Sequence, residues 1–403
     1  MKTKDELEIE VPEAVVNAVL NQDKVDEAPH NFYKYPARFS PVFAREAIKA
    51  FTRKGETVLD NFCGGGTTLV EAIALGRKAV GFDISSLAVF LARTKTSPVS
   101  VHDKKEILEW ASVIASIREP ALGGQSKVSD AESHYRRHLP DVPEAFFQTV
   151  IDLAKFLPKV RQQKLVRLAL LAVGQWALDC KNDTPGWEAL RSQFAGRIAD
   201  VVENYFRFAG RAAAASDVPR CRLSETRRVI NRSCEESDVD GRVPAEWLPA
   251  KLVLTSPPYP GVHVLYHRWQ INGRRETAAP FWLADCRDGA GDAYYCLGRR
   301  DQVELRTYFD RLGKAFAAVR NLVNGESLVV QLLAFSAPDW QLPAYLQKME
   351  EAGFVELRAV CSGEHLFENR VWRDVPGRKW YAKHKGKTAS SQEVLLLHRK
   401  RTI

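Results

Sequence analysis

Apolar positions along the chain follow two different periods. Between residues 40 and 97, short apolar runs alternate with helical spacing. Thr57-Val58-Leu59 reads as a strand, Leu69-Val70-Glu71-Ala72-Ile73-Ala74-Leu75 as a helix, and Lys78-Ala79-Val80-Gly81-Phe82-Asp83-Ile84 as the next strand. Such alternation predicts a doubly wound sheet. From about residue 99 the texture changes. Residues 104–118, 143–157, 160–180 and 188–212 carry apolar side chains at helical spacing, as in Phe194, Ile198, Val201, Val202, Tyr205 and Phe206, and predict an all-helical insertion. Strands return after residue 220, at Arg227 to Ile230, Lys251 to Leu254, Ser327 to Phe335, Phe354 to Val360 and Glu393 to His398. The expected fold class is therefore α/β, a doubly wound Rossmann-like sheet interrupted by a helical subdomain. The expected units are 1–98, 99–220 and 221–403.

Composition adds modest constraints. A chain of 403 residues has room for a full sheet domain and a second unit of about 100 residues. A formal charge of +8 and a pI near 9.0 fit either a polyanionic partner or an ordinary soluble surface. The 7 cysteines, with no C-x-x-C pair, argue against a disulfide framework and for a reducing compartment. The N-terminus lacks an apolar signal core, and no stretch reaches the ~20 apolar residues of a membrane span. The expectation is a soluble, cytoplasmic protein without a membrane partner.

Two short segments carry chemistry. Directly after the apolar run Lys251-Leu252-Val253-Leu254 comes Thr255-Ser256-Pro257-Pro258-Tyr259. The prolines restrict their own φ and the residue before each of them, so the Ser256 hydroxyl and the Pro257 carbonyl are held at defined angles where the strand ends. Two such acceptors suit an exocyclic base amine. If each accepts one amine hydrogen, nitrogen moves towards sp3 and its lone pair can face an incoming methyl group, with Tyr259 offering a stacking face. The second segment, Thr57 to Thr68, runs from a strand into Gly64-Gly65-Gly66 and then a helix, a turn that lets backbone approach a ligand closely. Asp83, at the end of the next strand, is placed to hold the two hydroxyls of a ribose.

Together, Asn61-Phe62-Cys63-Gly64-Gly65-Gly66-Thr67-Thr68 and Thr255-Ser256-Pro257-Pro258-Tyr259 resemble the two signature motifs of DNA amino-methyltransferases that use S-adenosyl-L-methionine. Ser256 resembles the cytosine-N4 branch, since adenine-N6 enzymes more often carry Asp or Asn there. The likeness covers residues 30–97 and 250–300 and does not extend through the middle. It implies a methyltransferase sheet, with Ser256, Pro257, Pro258 and Tyr259 as the catalytic motif. Phe62, Gly64 and Gly66 would line the methionine end of the cofactor, with Asp60, Thr67 and Thr68 in the same motif and Asp83 on the ribose. The segment His30 to Phe39 lies where the family has its N-terminal cofactor motif, so Tyr35 and Arg38 would help close over the methionine carboxylate. Arg38 reads equally well as a solvated arginine before a helix. Glu235 is the candidate for the acid that reads the adenine amine.

The resemblance also implies double-stranded DNA as partner, a cytosine flipped out of the duplex, and a role in restriction-modification or epigenetic marking. A cognate restriction endonuclease is a candidate partner. Candidate DNA contacts are His263, Arg268, Arg274 and Arg275 after the catalytic motif, and Arg373, Arg378 and Lys379 near the C-terminus, because arginine and lysine interleaved with aromatics suit phosphates and unstacked bases. The helical insertion, with its basic loop Ser133 to Pro140, is either a target-recognition unit or a cap that braces the sheet. His263 and His267 lack a third ligand, and methyl transfer needs no Lewis acid, so no metal is expected. Cys63 lies inside the glycine turn without a Pro-Cys context and reads as structural. Adenine-N6 methylation, RNA base methylation and a catalytically silent DNA-binding protein stay open as rival functions.

Overall fold

The computed structural model describes residues 8–23, 27–34, 40–120, 130–261, 268–271, 273, 275–289, 292–298, 302–361, 366–374 and 392–402. Its strands are β1 (Glu8–Glu10), β2 (Thr57–Asp60), β3 (Lys78–Asp83), β4 (Arg227–Asn231), β5 (Leu252–Thr255), β6 (Trp269–Ile271), β7 (Arg275–Thr277), β8 (Leu328–Ala334), β9 (Phe354–Val360), β10 (Leu366–Phe367), β11 (Arg370–Asp374) and β12 (Gln392–Lys400). Ten form one sheet in the order β1-β9-β12-β8-β5-β2-β3-β4, with β11 on β12 and β10 on β11, while β6 and β7 make a separate hairpin. Strands β8, β5, β2, β3 and β4 are mutually parallel, and β12 runs antiparallel between β8 and β9. From β2 the chain moves outward to β3 and β4, then crosses back to β5 on the other side. This reversal opens a crevice beyond the carboxyl ends of β2 and β5, where α/β sheets bind ligands.

Burial explains the strand sequences. Strands β2, β5 and β8 are buried along their whole length, which is why they read as continuous apolar runs. Successive residues still serve opposite faces. Val330 and Leu332 join Val58, Leu252 and Leu254 in one core, whereas Val329 and Leu333 join Leu59, Phe82 and Val253 in the other. Strands β1 and β10 were not legible in the sequence, being 3 and 2 residues long and too short to show a period.

The helical insertion has a core of its own, built around Phe146, Leu170, Phe194 and Tyr205. The 30-residue helix Trp187–Ser216 finishes inside the sheet domain, with Phe208, Ala209 and Ala212 in the sheet core. Conversely, Trp269, Ile271, Phe281 and Leu283, from beyond the catalytic motif, fill the helical core. Gly174 makes room for this, since a Cβ there would meet the Trp269 ring at 2.4 Å. The described residues of 268–284 thus pack as part of the helical unit. Among the described residues no helix is long and apolar enough to cross a membrane.

Candidate active site

The glycine turn and the catalytic motif meet because β2 and β5 are neighbours, and a buried carboxylate ties them together. Asp60 accepts a hydrogen bond from the Thr255 hydroxyl at 2.7 Å and from the Phe62 N–H at 3.1 Å. The Thr68 hydroxyl donates to the Leu254 carbonyl at 3.2 Å. Burial pushes the Asp60 carboxyl up to about 6 despite these bonds. Asp60 and Thr68, expected as cofactor contacts, therefore join the two motifs rather than facing the cleft. Gly66 serves packing in the same way. It caps helix Thr67–Ala74 with a φ of +82°, and a Cβ there would come within 2.8 Å of the Ala92 Cβ in helix Ser86–Lys95. Buried Lys95 donates to the Gly65 carbonyl at 2.9 Å, and the Cys63 N–H to the Phe82 carbonyl at 2.9 Å. Burial raises the Cys63 thiol well above its usual range, so it stays protonated and unreactive.

A cleft opens above this junction, lined by Asn61, Phe62, Gly64, Asp83 and Ile84 on one side and by Ser256 and Pro258 on the other. Asp83 accepts from the Gly64 N–H and the Ser85 N–H, each at 2.8 Å, leaving one lone pair per oxygen for a ligand. Burial pushes its carboxyl up to about 6. Ser233, Cys234, Arg311, Tyr294, Tyr295 and Leu297 complete the lining. Glu235 is held by Arg311 at 2.6 Å, so it reaches the cleft through its partner. Tyr294 and Tyr295 belong to the basic and aromatic stretch 261–300 that also holds the candidate DNA contacts Arg268 and Arg275. His30 shares a hydrogen bond of 2.7 Å with Glu71, and Arg45 donates to the same carboxylate at 2.8 Å, which docks the N-terminal segment on the helix behind the glycine turn. Tyr35 and Arg38 lie outside the described residues.

In the Thr255–Tyr259 segment, the Ser256 hydroxyl donates to the Leu332 carbonyl on β8 at 2.8 Å. Its proton is engaged, and its lone pairs are the part available to a ligand. The Pro258 carbonyl accepts from Tyr308 at 2.6 Å, and Pro257 is buried between them. Tyr259 is half-buried against the sheet core and donates to Glu393 at 2.7 Å. Burial, then the nearby Glu393 carboxylate, raises the tyrosine hydroxyl well above its usual range, keeping it a donor.

The expected DNA contacts divide. Arg373 is a correction, because it is only 6 % exposed. Its guanidinium donates to Glu393 at 2.6 Å and to the Val19 carbonyl at 2.9 Å, so it braces β11 and β12 and has no face for a phosphate. Arg268 is one-third exposed and pairs with Asp288 at 2.8 Å, whose other oxygen accepts from Tyr295 at 2.9 Å. Arg275 is exposed on β7. A shallow hollow brings Arg268 and Glu276 together with His134, which lies in the helix Asp130–Arg136, and with Arg137 and His138 in the turn that follows it. Two stretches read separately in the sequence thereby form one surface. His263, Arg274, Arg378 and Lys379 lie outside the described residues.

Residues 8–93, which hold the glycine turn and Asp83, match a protein family described as DNA methylase, whose model is named for N6 and N4 methyltransferases. Over 90 residues the chain is 28% identical to the Type II methyltransferase M.MjaII of Methanocaldococcus jannaschii, covering 22% of this chain and 17% of that protein. It is 34% identical over 76 residues to the Type II methyltransferase M.MvaI of Kocuria varians, covering 18% and 17%. The Type II methyltransferase M.BsoBI of Geobacillus stearothermophilus is 38% identical over 64 residues, covering 16% and 13%. The chain thus spans only about a sixth of the length of the curated relatives it matches. An rRNA methyltransferase, aviRa from Streptomyces viridochromogenes, aligns over 93% of this chain and 94% of its own at 8% identity with a TM-score of 0.34, too slight a likeness to argue from. The local likeness is to DNA amino-methyltransferases.

Proposed function

We propose that this chain methylates an amine of a DNA base, the N4 amine of a flipped cytosine, with S-adenosyl-L-methionine as the methyl donor. The observation that carries the reading is the Ser256 hydroxyl, whose proton is given to Leu332 at the mouth of a cleft shared with the glycine turn. A hydroxyl committed as a donor elsewhere presents lone pairs to the cleft, which is what an amine hydrogen needs. Pro257, fixed in a proline-proline turn, would supply the second acceptor through its carbonyl, and Tyr259 the aromatic wall.

The cleft residues fit the cofactor. Asp83 retains lone pairs for two ribose hydroxyls, and Phe62 and Gly64 offer an apolar face and bare backbone to the methionine end. When bound, S-adenosylmethionine supplies a methyl group already activated on a sulfonium. The protein's task is then orientation and electrostatics. Ser256 and Pro257 rehybridise the amine, and no covalent enzyme intermediate is needed. The Ser256 side chain, in place of Asp or Asn, favours cytosine N4 over adenine N6.

Double-stranded DNA would meet the surface made by Arg137, His138, Arg268 and Arg275, where guanidinium groups can hold phosphates while the base is extruded. A cognate restriction endonuclease is the proposed partner, in keeping with the Type II methyltransferases among the relatives, and the bacterial cytoplasm the proposed location. The test is incubation with isotope-labelled S-adenosylmethionine and either unmethylated DNA or total RNA, followed by nucleoside digestion and mass spectrometry. Label in N4-methyldeoxycytidine supports the proposal. Label in N6-methyladenine or in RNA would reassign base or polymer, and no label would leave a DNA-binding protein.

A further inference from the structure

The basic surface proposed for DNA carries an exposed carboxylate. Glu276 lines the hollow together with His134, Arg137, His138 and Arg268. In the β6–β7 hairpin it stands opposite Gln270, on the face away from Trp269 and Thr277, which are buried. Arg268 lies between two carboxylates that differ in their engagement. Asp288 is 5% exposed and bonded through both oxygens, to Arg268 at 2.8 Å and to Tyr295 at 2.9 Å. Glu276 is 41% exposed, and its contact with Arg268 is 3.7 Å, too long for a hydrogen bond. Asp288 therefore anchors the arginine, while the Glu276 oxygens are taken by no hydrogen-bond donor among the described residues.

We infer that Glu276 reads a base of the recognition sequence, accepting a hydrogen bond from the N4 amine of a cytosine in the major groove. This rests on the methyltransferase reading above and on the DNA surface given with it, and extends them to a residue that neither uses. Charge selects the contact. Phosphates repel a carboxylate, so on a surface that binds the DNA backbone it weakens binding unless it meets a donor. Duplex DNA offers donors only at its base edges, and in the major groove these are the exocyclic amines of cytosine and adenine. On adenine the amine stands beside the N7 acceptor, which opposes a group that can only accept, whereas cytosine presents its amine with no acceptor next to it on that edge. Arg137 and His138 then supply backbone contacts that set the register, and Glu276 supplies discrimination. The cytosine read here stays paired in the duplex and is distinct from the flipped target.

The experiment expresses the full chain in bacteria that lack DNA methylases and maps the methylated sites by single-molecule sequencing of the genome. The unaltered protein should mark a motif that requires a C·G pair besides the target base. In Glu276→Ala that requirement should relax, with discrimination at the pair falling about 10- to 100-fold and the other positions kept. Glu276→Gln should move the preference at the same position towards adenine, whose N6 and N7 match a carboxamide. Affinity for unrelated duplex DNA should hold or rise in both variants, since a negative charge facing phosphates is gone. An unchanged motif in both variants overturns the inference, as does a wild-type motif with no required C·G pair outside the target. A uniform drop in marking at every site would also overturn it, leaving Glu276 as a brace for Arg268. If the unaltered protein marks no DNA, the methyltransferase reading itself fails and the inference falls with it.

Discussion

The Tyr259 hydroxyl donates to Glu393 at 2.7 Å, which fixes the aromatic of the Thr255–Tyr259 segment to a strand 134 residues further along the chain. Glu393 is in turn held by Arg373, and Arg373 by the carbonyl of Val19. Strand β12 and the helix Glu13–Leu20 therefore set the position of the loop Ser256–Tyr259. Glu393→Ala would leave a buried guanidinium unpaired and is expected to cost about 3–5 kcal/mol of stability, measured by urea denaturation. Tyr259→Phe should cost only about 1 kcal/mol, because it removes one hydrogen bond and keeps the ring. A fully stable Glu393→Ala protein would mean that this chain of contacts does not hold the loop.

Ser256→Ala removes a proposed amine acceptor without disturbing the cofactor side of the cleft. Turnover should fall about 10²–10³-fold, the usual effect of losing one preorganised polar group at a reacting centre. Affinity for S-adenosylhomocysteine should not change. A single-turnover assay beside a calorimetric titration separates these outcomes, and retained turnover would remove Ser256 from the chemistry.

Asp60 should make stability depend on pH. Burial lifts its carboxyl from 3.8 to about 6, so between those values the folded protein binds more protons than the unfolded chain. The group's favourable contribution is complete below about pH 4 and is lost as pH rises through 6. Asp60→Asn preserves an acceptor for Thr255, and it should raise stability at pH 7 by up to about 3 kcal/mol and flatten the pH profile between 4 and 6. Denaturation midpoints at pH 4, 5, 6 and 7 test this, and a parallel profile in the two proteins would count against it.

Asp83 carries the same upward shift but faces the cleft, so its consequence is for binding. Its carboxylate form accepts from hydroxyl groups at both oxygens, whereas its protonated form spends one oxygen as a donor. S-Adenosylhomocysteine affinity should therefore increase as pH rises through about 6. Asp83→Asn should bind more weakly at pH 7 and lose that dependence, which titrations at pH 5 and 7 would reveal.

The surface shared by the helical unit and the β6–β7 hairpin predicts a salt effect. Each phosphate contact removed should lower the slope of log affinity against log salt by about 0.9 on duplex DNA. Arg137→Ala and Arg275→Ala are each expected to do so, with little change in sequence preference. Fluorescence anisotropy at several salt concentrations is the measurement. Arg373→Lys, at a buried position, should leave the slope alone.

The sequence by itself determined the sheet strands of the core and both motifs, because these are local matters. Periodicity reports burial within one element, and prolines and glycines report backbone angles within one turn. The run Leu252 to Thr255, the turn around Gly64 and Asp83 at the end of its strand all stand where local pattern put them. Tertiary structure alone decided which side chains line the cleft. Asp60 and Asp83 both follow apolar runs, yet one is turned inward to Thr255 and the other lines the cleft. Arg373 and Arg275 both lie among polar and aromatic residues, yet only Arg275 reaches solvent. Trp269 belongs to a core that begins at Phe32, and Tyr259 depends on a carboxylate from the final strand. Such pairings come from strand order and from packing between distant segments, and local spacing carries no record of either.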